Sequence, residues 1–517
     1  TRHFAIANTY FDNLARTDKA KEYPTLNFKR GEVKKDMEEY DLAISLFEKY
    51  AAENPTGEYA ASAKSEIETC EWAKTIVFAD KKYEITHLDR GVNSPYIDAA
   101  PVLYDGTLFY TSGYVPDSLK SNAPVTGVFS TTDLTKRGLP LSINSKTEGD
   151  NTASYALTTD KSTLFYTICT ENENGSFNCA IYRRSKIGEN DWGAPVKLDT
   201  SINKPGYTST QPSVGYDSTR QMDVLFFASN KPGSKGGMDL WMANVDNTGS
   251  VGKPQNIDDL NTTKDEVTPF FHSSSQTLFF STDGYKTLGG LDIYSSKIMG
   301  GEVSEVSGKG SALATENTTL NPHWMKAEHG GYPMNSSYDD TYYSLSKAKA
   351  FFVSNRKGGI CDDKERDCIC NDIYSYNLKV DLKAETFLAG MSNKLDGVRL
   401  DLLDVEANAL VGNQINTTGN DFAFPLEFDK KYKIIASKKG FLPDSATVNT
   451  LNLNVSTTLY RPLELRPNAK LTVYVFDKLE KKPLKDATIT LRDGKGKIVT
   501  QKVATGTNTL AFGDLLY

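Results

Sequence analysis

The sequence has 517 residues, of which 59 are Lys or Arg and 66 are Asp or Glu, giving a net charge of −7. The length allows three or four domains at about 100–200 residues each. The basic residues are scattered, which argues against the basic stripe of a nucleic-acid-binding protein. No apolar run approaches the roughly 18 residues of a membrane span. Because the sequence begins at Thr1 without Met, a signal peptide or lipoprotein signal before it is left open.

The first eighty residues have a helical pattern. Apolar residues recur at spacings of three and four, as on one face of an amphipathic helix: Tyr40, Ala43, Phe47 and Tyr50. Gly31 and Pro55 lie at equal distances before and after Ala43. This spacing resembles the second half of a tetratricopeptide repeat, in which Pro ends the unit. A generic helical hairpin is the alternative, and the repeat register is irregular before Gly31.

From Lys82 onward the pattern changes to short strands with many turns, and one strand core recurs five times. Its copies are TLFYTSG, TLFYTIC, VLFFASN, TLFFSTD and AFFVSNR, which start at Thr107, Thr163, Val224, Thr277 and Ala350. Continuous apolar runs indicate strands buried on both faces, as in the blades of a β-propeller. The sequence therefore predicts five blades between about residues 83 and 377.

A second signature follows several cores, GGMDLW and GGLDIY being the clearest copies. Two glycines allow a tight turn with positive φ, and the Asp can then accept hydrogen bonds from local backbone donors. A catalytic Asp is needed only once, so recurrence in each blade favours a structural role over a catalytic one. The predicted structural turn residues are Gly236, Gly237, Asp239, Gly289, Gly290, Asp292 and Asp372.

The six cysteines are unevenly placed. Cys169 and Cys179 flank a short polar loop, which favours a disulfide in an oxidising compartment. We expect Cys361 to pair with Cys368 or Cys370. A zinc site is the weaker alternative for that cluster, because no His or second Cys pair lies near it. Cys70 is expected to be buried among the helices as a small apolar residue.

Residues 381–466 alternate apolar and polar side chains between turn signals, which predicts an all-β module. GNDFAFPL followed by KKYKIIASKKGFLP resembles the carboxypeptidase-regulatory-like β-sandwich. A second such pattern starts at Ala469 and is incomplete at Tyr517, so we expect the natural chain to continue. The predicted organisation is multidomain and mainly β: TPR-like helical hairpins (1–80), a five-bladed propeller (81–380), a sandwich (381–466) and the start of another (467–517).

Strand cores followed by GG-D-IY resemble the PD40 (WD40-like) propeller repeats found in TolB-type proteins. The domain order resembles the PorE-like, OmpA-family periplasmic proteins of the Bacteroidetes. The resemblance implies a periplasmic, outer-membrane-associated and lipid-anchored protein. It also implies an outer-membrane partner complex, such as the type IX secretion system, and a peptidoglycan-binding OmpA-like domain beyond Tyr517. The resemblance implies no cofactor or metal.

Enzymatic signatures are scarce: the sequence has no Gly-x-Ser-x-Gly, no His-Glu-x-x-His and no phosphate-binding loop. We therefore predict a non-catalytic scaffold that links an outer-membrane complex to peptidoglycan. One alternative is an accessory subunit of another outer-membrane assembly, such as a barrel-assembly or transport complex. The second alternative is a propeller enzyme acting on glycans or peptides, which would need convergent carboxylates at the channel mouth.

Two further features concern the surface. Trp324, in the longest insertion between cores, is a candidate partner contact, although it could instead pack on its own blade. The tripeptides DSL (117–119) and DSA (444–446) match the Asp-Ser/Thr-aliphatic pattern of O-glycosylation in the Bacteroidetes. They make Ser118 and Ser445 candidate acceptors in loops.

Overall fold

The computed structural model describes residues 4–78, 84–116, 124–172, 175–188, 191–299, 323–360 and 370–515. The chain divides into two compact units, Thr1–Leu378 and Lys379–Tyr517. The prediction of a mainly β protein with N-terminal helices is confirmed. None of the helices in the described part of the chain is long and apolar enough to cross a membrane.

Four α-helices and a short 3₁₀ helix (Asp18–Glu22) open the first unit. The α-helices are α1 (Phe4–Ala15), α2 (Leu26–Asp36), α3 (Tyr40–Glu53) and α4 (Ala60–Val77). The predicted apolar stripe is confirmed, since Tyr40, Ala43, Phe47 and Tyr50 are the buried residues of α3. A Cβ atom at Gly31 of α2 would lie 2.6 Å from the Phe47 ring, so the glycine permits close packing of α2 on α3.

A two-residue strand, β1 (Thr86–His87), precedes five antiparallel sheets. Sheet 1 contains β2 (Asp98–Tyr104), β3 (Thr107–Tyr114), β4 (Val125–Thr131) and β5 (Leu139–Pro140). Sheet 2 contains β6 (Asp150–Leu157), β7 (Thr163–Glu171), β8 (Phe177–Ser185) and β9 (Val196–Lys197). Sheet 3 contains β10 (Ser209–Asp217), β11 (Met222–Ser229), β12 (Asp239–Val245) and β13 (Gln255–Asn256).

Sheet 4 contains β14 (Glu266–His272), β15 (Thr277–Thr282), β16 (Asp292–Met299), β17 (His323–Trp324) and β18 (Glu328–His329). Sheet 5 contains β19 (Asp340–Ser346), β20 (Lys349–Ser354) and β21 (Asp372–Asn377), together with β1. Thr86 of β1 pairs with Ser375 of β21. Sheet 5 is therefore built from both ends of the segment that forms the five sheets.

The five repeated cores form the second long strand of each sheet: β3, β7, β11, β15 and β20. Phe226 and Phe227 on β11 are consecutive, and both are fully buried. Their side chains point to opposite faces of the sheet, and each face belongs to a different apolar cluster. Burial on both faces explains the continuous apolar runs in the sequence.

The first strand of every sheet carries a β-bulge near its middle. One residue at each bulge has a positive φ: Ala100, Ser154, Gln211, Thr268 and Tyr342. In three sheets the next residue is Pro, namely Pro101, Pro212 and Pro269. Proline has no N–H to give to a ladder, so it is tolerated where the bulge interrupts the pairing.

The second unit begins with two four-stranded sheets. The strands are β22 (Val380–Leu388), β23 (Val398–Asp404), β24 (Ala409–Asn416), β25 (Asp421–Leu426), β26 (Lys431–Ser437), β27 (Phe441–Leu442), β28 (Asp444–Asn449) and β29 (Thr457–Pro467). A single apolar cluster, which includes Phe424, Tyr432 and Leu463, joins residues of both sheets. Residues 380–467 thus form a β-sandwich with one core.

Two separate two-stranded sheets follow in the second unit. They comprise β30 (Ala469–Tyr474) with β33 (Thr509–Leu515), and β31 (Thr488–Arg492) with β32 (Ile498–Val503). Large apolar side chains on this segment are exposed, Tyr474 by 61% and Leu479 by 89%. Its described strands bury far fewer apolar side chains than the preceding sandwich does.

Candidate functional site

The repeated Gly-Gly-x-Asp segment forms a joint between consecutive sheets. In sheet 3, the Gly237 N–H donates to the carbonyl of Lys264 (3.0 Å), and the Glu266 N–H donates to the carbonyl of Met238 (2.6 Å). Lys264 lies in the connection to sheet 4, and Glu266 begins β14. The same bonds recur after sheet 4, where the Gly290 N–H donates to the Tyr338 carbonyl (3.3 Å). The turn therefore holds the first strand of the next sheet.

The prediction that these glycines supply positive φ is wrong. None of Gly236, Gly237, Gly289 and Gly290 is among the residues with positive φ. They are needed instead for close approach of the next connection. A Cβ atom at Gly236 would lie 2.3 Å from the Lys264 carbonyl oxygen, and one at Gly289 would lie 2.2 Å from the Ser337 carbonyl carbon. Only glycine leaves room for these backbone contacts.

The Asp of each joint is fully buried and closes its own turn. Oδ2 of Asp239 accepts from the Lys235 N–H (2.7 Å), as Oδ2 of Asp292 does from the Leu288 N–H (2.7 Å). Oδ2 of Asp372 accepts from the Ile360 N–H (2.7 Å). The three carboxylates thus occupy matching positions at the starts of β12, β16 and β21, and local groups bind them.

A side chain from the adjoining strand also contacts each of these carboxylates. In sheet 3 it is Asn256, in sheet 4 His329 and in sheet 5 His87, each 2.7 Å from Oδ2. Nδ1 of His329 accepts from the Gly331 N–H (3.1 Å), so Nε2 carries the hydrogen that is donated to Asp292. Burial raises the pKa of Asp292 to about 6. This Asp–His pair is buried beneath Trp72 of α4, whose ring lies 4.8 Å from the His329 ring.

A five-fold asparagine repeat was not predicted from the sequence. In each sheet an Asn side chain accepts from the N–H and donates to the C=O of one residue on the third long strand. The asparagines are Asn93, Asn144, Asn203, Asn261 and Asn335. The signal was present as a large apolar residue before Asn: GVN, SIN, SIN, DLN and PMN.

The cysteines fall in three groups. Cys169 and Cys179 face each other on β7 and β8 and form a disulfide. Cys370 is also disulfide-bonded, whereas Cys361 and Cys368 lie outside the described residues. Cys70 is a buried free thiol of α4, and burial raises its pKa to about 12.

Trp324 is not the exposed partner contact proposed from the sequence. It is 5% exposed and packs edge-on against Phe226 and Phe271, because β17 folds back on sheet 4. Ser445 is exposed, but it lies at the start of strand β28 rather than in a loop. Ser118 lies outside the described residues.

The bulged first strands surround a small void of about 50 Å³. Oε1 of Gln211 accepts from the Thr268 N–H (2.8 Å), and its Nε2 donates to the Tyr342 hydroxyl (3.3 Å). Groups from three sheets thus line this space and bind one another. Among the described residues that line it, none is Asp or Glu, so the carboxylates that catalysis here would require are not in its wall.

A larger cleft of about 470 Å³ lies between sheets 1 and 2, and its floor is aromatic. The rings of Phe109 and Tyr155 are stacked, with centroids 4.1 Å apart and planes within 3°. Tyr104 stands edge-on to both rings at 6.1 Å, and its hydroxyl accepts from the Leu157 N–H (3.2 Å). Burial raises the pKa of both tyrosines, that of Tyr104 to about 12, so both hydroxyls stay neutral at physiological pH.

Polar groups and one further aromatic ring form the rim of this cleft. Asp105 and Gly106 both have positive φ, as a tight hairpin turn of type I′ requires. Lys161 lies in the corresponding turn of sheet 2 and forms an ion pair with Asp105 across the cleft. Lys186 and Trp192, which pair through an isolated β-bridge, complete the lining with the hydroxyl side chains of Thr107, Ser130 and Ser142.

An apolar floor with a few converging polar groups is the usual composition of a ligand site. Asp105 is the sole carboxylate among the residues that line the cleft. Glycoside hydrolysis by the common mechanisms uses two carboxyl groups. The cleft as described therefore supplies binding groups and one carboxylate, without a catalytic pair.

No family model matches the sequence, and no curated protein matches it. Solved structures similar to this chain include an α-L-arabinofuranosidase from Lactobacillus brevis, at 11% identity over 57% of this chain and 95% of that one, with a TM-score of 0.35. An exo-β-1,3-galactanase from Clostridium thermocellum has 10% identity over 72% and 82%, with a TM-score of 0.36. An N-acetylgalactosamine deacetylase from F. plautii has 10% identity over 57% and 96%, with a TM-score of 0.36.

These comparisons bear on the fold, which is β-propeller-like. They contradict the prediction of a non-catalytic scaffold between the outer membrane and peptidoglycan, and the prediction that the chain is not an enzyme. The similar structures are of enzymes named for acting on sugars.

Proposed function

We propose that this chain is a glycan-acting protein that binds an oligosaccharide in the cleft between sheets 1 and 2. The observation that carries the proposal is the stacked aromatic floor beneath a polar rim. Sugar rings present C–H groups on their faces and hydroxyls at their edges. The faces pack on aromatic rings, while Asp105, Lys161 and the rim hydroxyls are placed to hydrogen-bond the edges.

Trp192 offers a test of the proposal, because it lines the cleft from outside the long strands of sheets 1 and 2. It is half-buried at the rim, while Phe109 and Tyr155 form the floor and support neighbouring strands. Removing Trp192 takes away one aromatic surface of the cleft, together with some packing against the apolar cluster that includes Tyr155. We expect Trp192→Ala to weaken oligosaccharide binding by about tenfold or more, as for other aromatic anchors.

The experiment measures binding of the full chain to immobilised arabino-, galacto-, gluco- and galacturono-oligosaccharides. Phe177→Ala is the matched control, because Phe177 is a 48% exposed aromatic residue of sheet 2 that is not part of the cleft lining. Loss of binding in Trp192→Ala with retention in Phe177→Ala supports the proposal. Absence of binding to every oligosaccharide, or equal binding by both variants, refutes it.

We also propose that sheets 1–5 are the blades of a closed five-bladed propeller. Contacts between first strands support this arrangement, since β2 contacts β6, β6 contacts β10, β10 contacts β14, β14 contacts β19, and β19 contacts β2. The close packing of Gly31 on Phe47 likewise supports TPR-like pairing of α2 and α3. The Cys169–Cys179 disulfide supports an exported location, for which the periplasm remains our proposal.

A further inference from the structure

The cationic side chains of the cleft lie together on one rim. The Lys186 N–H donates to the carbonyl of Ser162 (2.8 Å), which directly follows Lys161 in the turn before β7. This bond fixes the base of Lys186 beside Lys161. The Lys186–Trp192 bridge then brings the indole to the same rim. Two ammonium groups and one aromatic ring therefore border a single edge of the cleft.

The charges on this rim are available to a ligand. The Lys161–Asp105 ion pair is exposed, with side-chain exposures of 45% and 77%, and exposed ion pairs contribute little to stability. An incoming anion can therefore replace Asp105 at little cost. In the described part of the chain, no carboxylate forms an ion pair with Lys186.

The local charge of the cleft is opposite to that of the protein. The chain carries a net charge of −7, whereas the lining of the cleft has two lysines against one aspartate. An acidic protein repels anions in general. Attraction of an anion to this rim must therefore come from the two lysines that line it, Lys161 and Lys186.

We propose that the ligand of the cleft is an acidic oligosaccharide, whose rings stack on the aromatic residues while its carboxylate or sulfate groups bind Lys161 and Lys186. This inference rests on the proposed function and adds the chemical class of the sugar. Lys186 acts as a specificity-determining residue, because it has no competing carboxylate partner among the described residues. Lys161 contributes to binding of the anion once the ligand has displaced Asp105 from it.

The test compares tetragalacturonate, a sulfated galacto-oligosaccharide and the uncharged oligosaccharide made by reducing the carboxyl groups of tetragalacturonate. Binding to the full chain is measured by isothermal titration calorimetry. We expect at least one of the two acidic ligands to bind about tenfold more tightly than the neutral one. A preference for tetragalacturonate identifies the anionic group as carboxylate, and a preference for the other acidic ligand identifies it as sulfate.

Lys186→Gln is expected to abolish most of this preference, measured as the ratio of the affinities for the acidic and the neutral ligand. Lys253→Gln is the matched control, since it removes the same charge from an exposed position between β12 and β13 that is not part of the cleft lining. Equal affinities for neutral and acidic ligands, or equal effects of the two substitutions, overturn the acidic-ligand inference while glycan binding stands. If no oligosaccharide binds, the proposed function itself fails.

Discussion

Gly236→Ala tests whether the Gly-Gly-x-Asp segment is a joint between sheets. The new Cβ atom would lie 2.3 Å from the carbonyl oxygen of Lys264 and 2.6 Å from the carbonyl carbon of Thr263. Both atoms belong to the backbone, so no side-chain rotation can relieve the clash. The connection that leads into β14 must move away from the turn.

The size of the effect follows from what that movement breaks. Overpacking of this kind costs about 1–3 kcal/mol. Displacement of the connection also stretches the bonds from Gly237 N–H to the Lys264 carbonyl and from Glu266 N–H to the Met238 carbonyl, each with a net contribution of about 0.5–1.5 kcal/mol. We expect the free energy of unfolding of the first unit to fall by about 2–6 kcal/mol.

The assay is urea denaturation of the full chain, with amide hydrogen exchange of Glu266 as the local measurement. Gly252→Ala is the matched control, because the nearest atom to its Cβ would be the Asn244 carbonyl oxygen at an ordinary 3.6 Å. That control should be neutral or stabilising by up to about 1 kcal/mol. Similar stabilities for the two variants, or unchanged exchange at Glu266, would show that the turn does not hold the next sheet.

Three further predictions concern stability. Asn203→Ala should lower the free energy of unfolding of the first unit by about 3–5 kcal/mol, because it leaves buried N–H and C=O groups of Ile181 and Leu198 unpaired. Amide hydrogen exchange at Ile181 should become faster, and unchanged exchange would contradict the prediction. Burial raises the pKa of Asp98 to about 6 from 3.8, so the folded state binds this proton more tightly. The free energy of unfolding should therefore gain about 2 kcal/mol from this group as pH falls from 6 to 4. Asp98→Asn should remove that slope in urea denaturation across this range. Replacing both Cys169 and Cys179 with Ser should lower the free energy of unfolding by about 2–3 kcal/mol, because the disulfide closes a short loop and so restricts the unfolded chain. An unchanged melting temperature after reduction of the native protein would contradict this.

The repeated strand cores could be predicted because burial on both faces leaves a local signature. Phe226 and Phe227 are consecutive and both buried, and no exposed strand would carry such a pair. The apolar stripe on α3 could be predicted for a similar reason, because the spacing of its buried residues is that of one helix face: Tyr40, Ala43, Phe47 and Tyr50. Local periodicity was enough in both cases.

The roles of the glycines and of the cleft residues could not be predicted in this way. Gly236 contacts Lys264, which belongs to the connection that leads to another sheet, and sequence spacing does not encode that approach. The cleft joins Asp105 of one hairpin turn to Lys161 of the next. Neither turn indicates a site by itself, because turn residues with positive φ are common wherever a hairpin is tight.

The pairing of β1 with β21 has a consequence for how the chain folds. Asn93 near β1 donates to the Ile373 carbonyl, and His87 contacts Asp372, so these contacts join residues almost three hundred positions apart in sequence. Contacts of such long range slow folding, because loop closure must precede them. During synthesis from the N-terminus, β1 and sheets 1–4 emerge before their last partner exists. The ribosome must pass residue 377 before the fifth sheet can form, and until then the lateral faces of sheets 1 and 4 are exposed to chaperones and to other chains.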